Sequence, residues 1–482
     1  MENFSKNFKS LNKCPKNDKI VMIFAKRDFL EMKKRKHFST TRLIMLFFLL
    51  AILVGSVLLV LPISQQKGVS VSYLDALFTA TTAVCVTGLV TVPTYSTWSV
   101  FGQIVILILI QIGGLGIVTV MSGIMIGFHK RIGLGGRMLI QDAFNLNTLS
   151  GIISFTKKVL IGTFIVEGIG ALLYMTVFIP QFGAKGIWIS LFNSVSCFCN
   201  AGIDIIADNS LCNYTLNPMI NFTTSALIVV SGIGYIVWWD FLVVIKEFPQ
   251  KKFRCFKGLT FHSKLAILVT LILIVSGGLL FFVFEFNNPL TIKEYSVPQK
   301  LMAAFFQSIT TRTAGFATVP QENLTNASSF VSLILMFIGG SPTGTAGGIK
   351  TVTAAVLIAS AIATIKSKEE TSLLHRSIPK QSVNKSVAVI AVSFAIMSVS
   401  TILLCAATKA DILDILYETV SATATVGLTR NFTSTLNFFG KLVIIVTMYL
   451  GRVGPISLFI ALNTQKYSPN AIKNPTEQIS VG

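Results

Sequence analysis

Charge is scarce in this chain. Asp, Glu, Lys and Arg make up 12% of its 482 residues, where a soluble globular protein carries roughly 25%. With 52% hydrophobic residues and a mean hydropathy of +0.72, the composition excludes an ordinary soluble fold. Histidine is down to four residues, and no His-Glu-x-x-His, Gly-x-Ser-x-Gly or clustered intramembrane Asp pair is present. Of the acidic residues well inside apolar runs, Glu167 stands alone and Asp240 sits beside Trp238 and Trp239 near the expected inner interface. A membrane-embedded enzyme is thus the weakest of the available readings. The seven cysteines, Cys14, Cys85, Cys197, Cys199, Cys212, Cys255 and Cys405, are odd in number and fall on both expected sides. They support neither a disulfide framework nor a zinc site.

What is abundant is long apolar runs. Leu43–Leu61, Val100–Phe128, Val159–Ile179, Phe222–Ile245, Leu265–Phe284, Val331–Ile365, Val387–Ala407 and Leu442–Leu462 are each near or above the ~20 residues that cross a bilayer as a helix. The run from Leu43 follows a basic stretch without a convincing small-residue cleavage site, so it reads as a span and not a leader. Eight crossings put both termini on one side. The segments on that side, 1–42, 130–158, 246–264, 366–386 and 463–482, hold 30 Lys+Arg against 9 Asp+Glu. The positive-inside rule makes that side cytoplasmic. The net charge of +20 then reads mainly as topology, with anionic lipid or a docked cytosolic subunit able to share it. No folded basic domain exists to bind nucleic acid.

Four stretches between the apolar runs read alike: "LDALFTATTAVCVTGLVTV", "WISLFNSVSCFCNAGIDII", "MAAFFQSITTRTAGFATVP" and "LYETVSATATVGLTRNF". Each is a short amphipathic segment rich in Ser and Thr that runs into a glycine. Gly88, Gly202, Gly315 and Gly427 are separated by 114, 113 and 112 residues. The chain therefore reads as four helix, re-entrant loop, helix repeats over 43–128, 159–245, 263–365 and 385–462, between a basic tail, 1–42, and a C-terminal tail, 463–482. The predicted fold is an all-α polytopic membrane protein with eight transmembrane helices around a pseudo-four-fold pore. Non-helical backbone at membrane depth survives only inside protein or along a watery cavity. Four such segments on one axis can present rings of carbonyls that replace the hydration shell of a cation. Glycine suits that task because positive φ carries no steric penalty for it. A lone glycine of this kind would simply end a short helix; four in register point to a filter.

The second helices also carry glycines: Gly113 and Gly114, Gly232 and Gly234, Gly339 and Gly340, Gly451 and Gly454. In the first two repeats, close helix packing explains them as well as breakage does. In the third, "GGSPTGTAGGIKT" is too rich in Gly339, Gly340, Pro342, Gly344, Gly347 and Gly348 to stay helical. Each glycine costs about 1 kcal/mol and proline about 3 relative to alanine. The expectation is an unwound plug or gate at 339–348, just inside the filter.

These motifs together resemble the Trk/Ktr/HKT superfamily of potassium transport proteins from about Leu43 to Leu462, and most closely its bacterial Ktr-type membrane subunit. "VTGL", "NAGI", "RTAGF" and "TVGLT" match its filter strands, "GGSPTGTAGGIKT" its intramembrane loop and "GRVGP" its last helix. Trk-type members carry two further N-terminal helices; residues 1–42, polar and with 12 Lys+Arg, fit the Ktr type instead. The resemblance implies potassium coordination by carbonyls of Val86 and Thr87, Asn200 and Ala201, Thr313 and Ala314, Thr425 and Val426, beside the four glycines. In plant relatives a serine in place of the first-repeat glycine accompanies sodium preference, so Gly88 implies potassium. It also places Arg452 in the pore beside the loop. Lys350 is open between a gating role and snorkelling to the cytoplasmic interface.

The resemblance further implies a homodimer in the cell membrane, seated on a cytosolic ring of Rossmann-type subunits that bind ATP or ADP, with sodium as a possible activator and no tightly bound cofactor. The chain itself lacks Gly-x-Gly-x-x-Gly after a strand, and "GGIKT" misses the P-loop pattern. A rival within transport is the potassium-binding subunit of an ATP-driven pump, which has a related four-repeat core but extra helices.

Overall fold

The computed structural model describes residues 40–128, 133–144, 151–207, 209–252, 256 and 258–454. Most of the basic tail, the whole of 463–482 and the eighth run beyond Gly454 lie outside the described residues. The first repeat comprises α1 (Thr40–Val60), α2 (Tyr73–Cys85), α3 (Val100–Leu115) and α4 (Ile117–Gly127), followed by a connecting α5 (Leu134–Phe144). The second is α6 (Ile152–Phe182), α7 (Lys185–Cys199), α8 (Pro218–Gly232) and α9 (Tyr235–Lys251). The third is α10 (Phe261–Glu285), α11 (Val297–Thr310), α12 (Asn326–Phe337) and α13 (Thr351–Ile365). A two-residue β-hairpin, β1 (Ser372–Leu373) with β2 (Arg376–Ser377), leads to the fourth: α14 (Lys380–Ala407), α15 (Ile412–Ala424) and α16 (Phe438–Val453).

Among the described residues, α1, α6, α10 and α14 are long and apolar enough to cross a bilayer. They are apolar on their outer faces too, where Leu50, Phe164, Ile272 and Ile402 are exposed; such all-round hydrophobicity suits helices solvated by lipid. The inner helices start on cue. Ser99, Asn217, Thr325 and Asn437 each cap one of them by accepting a backbone N–H of its first turn, which satisfies one of the orphan donors at a helix start.

The inner helices of the first three repeats are interrupted, so in the first two breakage accompanies packing. The chain bends by 101° between α3 and α4 and by 101° between α8 and α9. The turning residues are Gly116, φ 80°, and Gly234, φ 98°, a region open to glycine and costly for other residues. In the third repeat residues 338–350 separate α12 from α13, and α16 stops at Gly454, φ 90°. Close packing is present as well, at neighbouring glycines: a methyl group on Gly113 or Gly451 would collide with the carbonyls of Val84 or Thr423, and on Gly114 with Cys199. One glycine run thus serves both purposes.

Each re-entrant helix packs on the long helix of its own repeat and on an inner helix of the preceding one: α7 on α3, α11 on α8, α15 on α12, and α2 on α16. That last pairing closes the circle. Hydrogen bonds cross the same seams. Trp188 Nε1 donates to Gln103 Oε1 at 2.8 Å, Leu211 N to the Ala317 carbonyl at 3.0 Å, and Arg430 to Ser329 Oγ at 2.7 Å. The fourth seam is the ion pair Lys441–Asp75 at 2.5 Å, with side chains only 18% and 15% exposed.

Removing Lys441 leaves Asp75 without its cation but with the hydroxyls of Ser72 and Thr91. Lys441→Ala should destabilise the detergent-solubilised protein by about 1–3 kcal/mol, read as a lowered melting temperature. Adding Asp75→Asn should recover part of that loss; a variant as stable as the parent would mean that this seam does not hold the circle closed.

Candidate ion-conduction site

The four re-entrant helices end in one recurring way. α2, α7 and α15 are each terminated by a residue in the left-handed region, Val86, Asn200 and Thr425, with φ of 55°, 59° and 52°. The next N–H then reaches back across the helix end: Thr87 to the Thr82 carbonyl at 2.9 Å, Ala201 to Ser196 at 2.8 Å, Val426 to Ser421 at 2.8 Å. This is the cap that satisfies late carbonyls of a helix. α11 stops earlier, at Thr310, and the left-handed residue is Thr313, φ 73°. All four strands then pass through a glycine of positive φ: Gly88, Gly202, Gly315 and Gly427.

The Ser and Thr residues of these segments have a definite task. In the first and fourth repeats a hydroxyl accepts from the glycine N–H: Thr82 from Gly88 at 2.9 Å and Ser421 from Gly427 at 3.0 Å. In the second and third a hydroxyl donates to the carbonyl just after the glycine: Ser196 to Ile203 at 2.5 Å and Thr310 to Phe316 at 2.6 Å. The strands are thus stapled to their own helices from behind.

The four glycines meet in cyclic order. A methyl group built on Gly88 would lie 2.6 Å from the Ala201 carbonyl oxygen, and on Gly202 2.8 Å from that of Ala314. On Gly315 it would strike the Val426 carbonyl, and on Gly427 the Thr87 carbonyl. Each glycine therefore faces the carbonyl before its neighbour's glycine, and the fourth returns to the first. Beside this ring each strand holds one buried side-chain oxygen that no protein group satisfies: Thr87 Oγ1, Asn200 Oδ1, Thr313 Oγ1 and Thr425 Oγ1. Such groups suit water or a cation as partner.

The glycine-rich loop lies against one side of the ring. A methyl group on Gly339 would lie 2.9 Å from Thr313 Cγ2, and on Gly347 2.7 Å from the Ala424 carbonyl and against Thr425. Thr345 Oγ1 accepts from Asn200 Nδ2 at 2.8 Å and donates to the Phe198 carbonyl at 3.0 Å. Strands from three repeats thus touch it. Its backbone is partnered by the break between α8 and α9. Ser341 N donates to the Gly232 carbonyl at 2.8 Å, Thr345 N to Ser231 at 3.4 Å, and Tyr235 N to the Thr343 carbonyl at 3.3 Å. The interruption in one repeat supplies the helix-end groups that the unwound segment of another requires.

Arg452 joins the loop to the first repeat: one guanidinium nitrogen donates to the Thr345 carbonyl at 3.0 Å, the other to the Gly113 carbonyl. Lys350 turns back onto the loop, its Nζ donating to the Ala346 carbonyl at 2.6 Å, and does not snorkel away. Pro342 and Gly344 lie at the α8–α9 break, Gly344 2.7 Å (as a built methyl) from the Ser231 carbonyl. Gly340 accepts from Thr351 N at 3.0 Å and Gly348 packs on Gly339, so the loop's two ends adjoin. Glu167 is not alone: Gln111 Nε2 donates to both its oxygens, at 3.1 and 3.3 Å. Asp240 accepts from the hydroxyls of Thr260 and Ser263, both at 2.5 Å, at the start of α10.

Sequence reasoning passed over Arg312. It is buried beside Thr313 and donates to the Gly339 carbonyl at 3.4 Å, a second guanidinium on the loop. A charged residue inside the otherwise neutral "RTAGF" was the available signal.

Residues 31–472 match the family model described as TrkH, cation transport protein. The chain belongs to the TrkH cation transport protein family. It is 38% identical to the potassium/sodium uptake protein NtpJ of Enterococcus hirae, over 94% of this chain and 99% of that one. It is also 38% identical to the Ktr system potassium uptake protein B of Bacillus subtilis, over 92% of this chain and 97% of the relative. The crystal structure of the potassium transporter TrkH from Vibrio parahaemolyticus superposes with a TM-score of 0.71 at 17% identity, covering 89% of this chain and 86% of that one. That likeness shows a shared fold, and with the TrkH-family match it makes this a mostly helical, multi-pass membrane protein.

An added methyl group at Gly202 would meet backbone, which cannot step aside as a side chain can. Gly202→Ala should therefore reduce properly folded, monodisperse membrane protein several-fold, whereas Gly168→Ala, where nothing lies within 4 Å, should leave the yield unchanged. Size-exclusion profiles of the two variants check this; equal yields would count against a tight glycine ring.

Proposed function

We propose that this chain is the ion-translocating subunit of a potassium uptake system of the Ktr type. The carrying observation is the closed ring in which each of Gly88, Gly202, Gly315 and Gly427 faces the carbonyl before the next. Carbonyls of Val86, Thr87, Asn200, Ala201, Thr313, Ala314, Thr425 and Val426 provide the oxygen shell for a dehydrated potassium ion, which is the cargo of the site. The names of the relatives support a potassium or sodium substrate. Glycine at all four places favours potassium.

The intramembrane loop with Arg452 is the gate. It abuts the strands of three repeats, and its guanidinium opposes a cation on the same path. Both termini face the cytoplasm, the functional unit is a homodimer in the cell membrane, and a cytosolic nucleotide-binding partner biases the loop. These assignments rest on the family and on the charge distribution of the sequence.

Reconstitution in liposomes tests the reading. Wild type should take up rubidium in competition with potassium, and Gly88→Ser, at the reduced yield expected for any Cβ in the ring, should weaken discrimination against sodium. A variant with unaltered selectivity would remove the first repeat from the filter.

Because Gly339 and Gly348 adjoin, deleting Gly340–Gly347 should shorten the loop without displacing α12 or α13. The deletion is expected to insert normally, to conduct faster than wild type and to lose its response to ATP or ADP. Arg452→Ala should raise basal flux in the same direction. Low flux with intact nucleotide control would mean that the loop is not the gate.

A further inference from the structure

The four-fold pattern breaks behind the ring in a way that singles out one residue. Nine positions before the four glycines stand Thr79, Asn193, Phe306 and Glu418. Glu418 has no exposed surface at all. Its carboxylate holds the chain leaving Gly427 at two points. Thr429 Oγ1 donates to Oε2 at 2.7 Å and Thr433 Oγ1 to Oε1 at 2.6 Å. Thr429 Oγ1 in turn accepts the N–H groups of Phe432, at 3.2 Å, and Thr433, at 3.4 Å. Its one proton must therefore point at Glu418. One turn earlier on the same face of α15, Asp414 holds the next residue, Arg430, at 2.8 Å.

Among the described residues, no other re-entrant helix braces its strand with a carboxylate nine positions before the glycine. In the first repeat Asp75 reaches Thr91 at 2.8 Å, but the same carboxylate also serves Ser72 and Lys441. In the third, Gln307 and Gln321 bond each other. In the second, Asn193 has no hydrogen-bond partner on either amide atom. Glu418 holds its strand at two points through one side chain, which none of these arrangements does. The strand it anchors matters to its neighbours, because the Val426 carbonyl faces Gly315 and the Thr87 carbonyl faces Gly427.

We propose that Glu418 is a positioning residue that sets the ion selectivity of the ring by fixing the fourth strand through Thr429. The proposal rests on the filter reading above. Glu418 acts through geometry and not through its charge, and substitutions can separate the two. Gln at this position can accept the Thr429 proton on its carbonyl oxygen and donate to Thr433, so it keeps the brace and removes the charge. Thr429→Val keeps the shape and removes the brace.

The test is rubidium and sodium uptake by proteoliposomes carrying wild type, Glu418→Gln, Glu418→Ala, Thr429→Val and Gly88→Ser. Thr429→Val and Glu418→Ala should lower potassium-over-sodium discrimination about fivefold, the size expected for one ordinary lost hydrogen bond. Glu418→Gln should stay close to wild type. A merely structural role would lower both fluxes together and leave their ratio unchanged, and that result overturns the proposal. So does a Glu418→Gln variant as unselective as Glu418→Ala, which would assign the effect to charge. If Glu418→Ala does not reach the membrane, Thr429→Val decides alone. Altered selectivity in Gly88→Ser, with Thr429→Val unaltered, keeps the filter reading and removes Glu418 from it. Wild type that carries no potassium removes the filter reading itself.

Discussion

Peptide groups at membrane depth have no water to turn to, and an unpartnered one there costs several kcal/mol. Helices avoid the problem by pairing internally, yet this chain leaves the helical path repeatedly near its centre. Its architecture follows from finding partners for those departures. The strands after α2, α7, α11 and α15 are each stapled by a hydroxyl of their own helix. The loop between α12 and α13 is stapled by the interrupted end of α8 and the start of α9. Arg452 covers two more carbonyls, one on α3 and one on the loop. Beside the ring, each strand keeps a buried side-chain oxygen without a partner among the described residues, at Thr87, Asn200, Thr313 and Thr425.

The same constraint explains why glycine recurs in two distinct settings. In the ring, positive φ and close approach to a neighbour's carbonyl coincide, and only a residue without Cβ meets both. In the inner helices the two needs fall on different residues. Gly113 and Gly114 admit the ends of α2 and α7, and Gly116 then turns the chain. A helix that must both touch the re-entrant segments and yield near the axis requires several glycines in a row.

Much of this was legible in the sequence. Gly88, Gly202, Gly315 and Gly427 stand at nearly constant separation, each after a Ser- and Thr-rich amphipathic segment, and both signals are local to the chain. The break at 339–348 was legible because its glycine and proline density exceeds what any helix tolerates. The breaks at Gly116 and Gly234 were not, since a few glycines in an apolar helix fit close packing equally well. The seams between repeats were hidden for a different reason. Lys441 and Asp75 stand 366 residues apart, and nothing local marks either as the other's partner. Glu418 reads in sequence as the polar face of an amphipathic segment. Its burial becomes visible only when the Thr429 turn folds back over it.

The loop between α12 and α13 has no counterpart of its length in the first two repeats, and its bonding bears on whether it can move. Its ties to α8, α9 and the ring are mostly single hydrogen bonds between neutral groups. Each is worth only about 0.5–1.5 kcal/mol net when water can replace it. On the proposed reading the displaced loop would lie in a hydrated pore, where water is available to do so. Arg312 and Arg452 are different, for a guanidinium that loses its carbonyls must find others or meet water. These two residues hold the loop at different points: Arg312 holds Gly339 at its start and Arg452 holds Thr345 at its middle. A displacement that keeps the Arg312 contact and gives up Arg452 pivots the loop about its first residue. Its adjoining ends, Gly339 and Gly348, would stay nearly in place. Such a motion gives up mostly neutral bonds that water can replace, which on the proposed reading is the condition for two arrangements close enough in energy for a partner to choose between them.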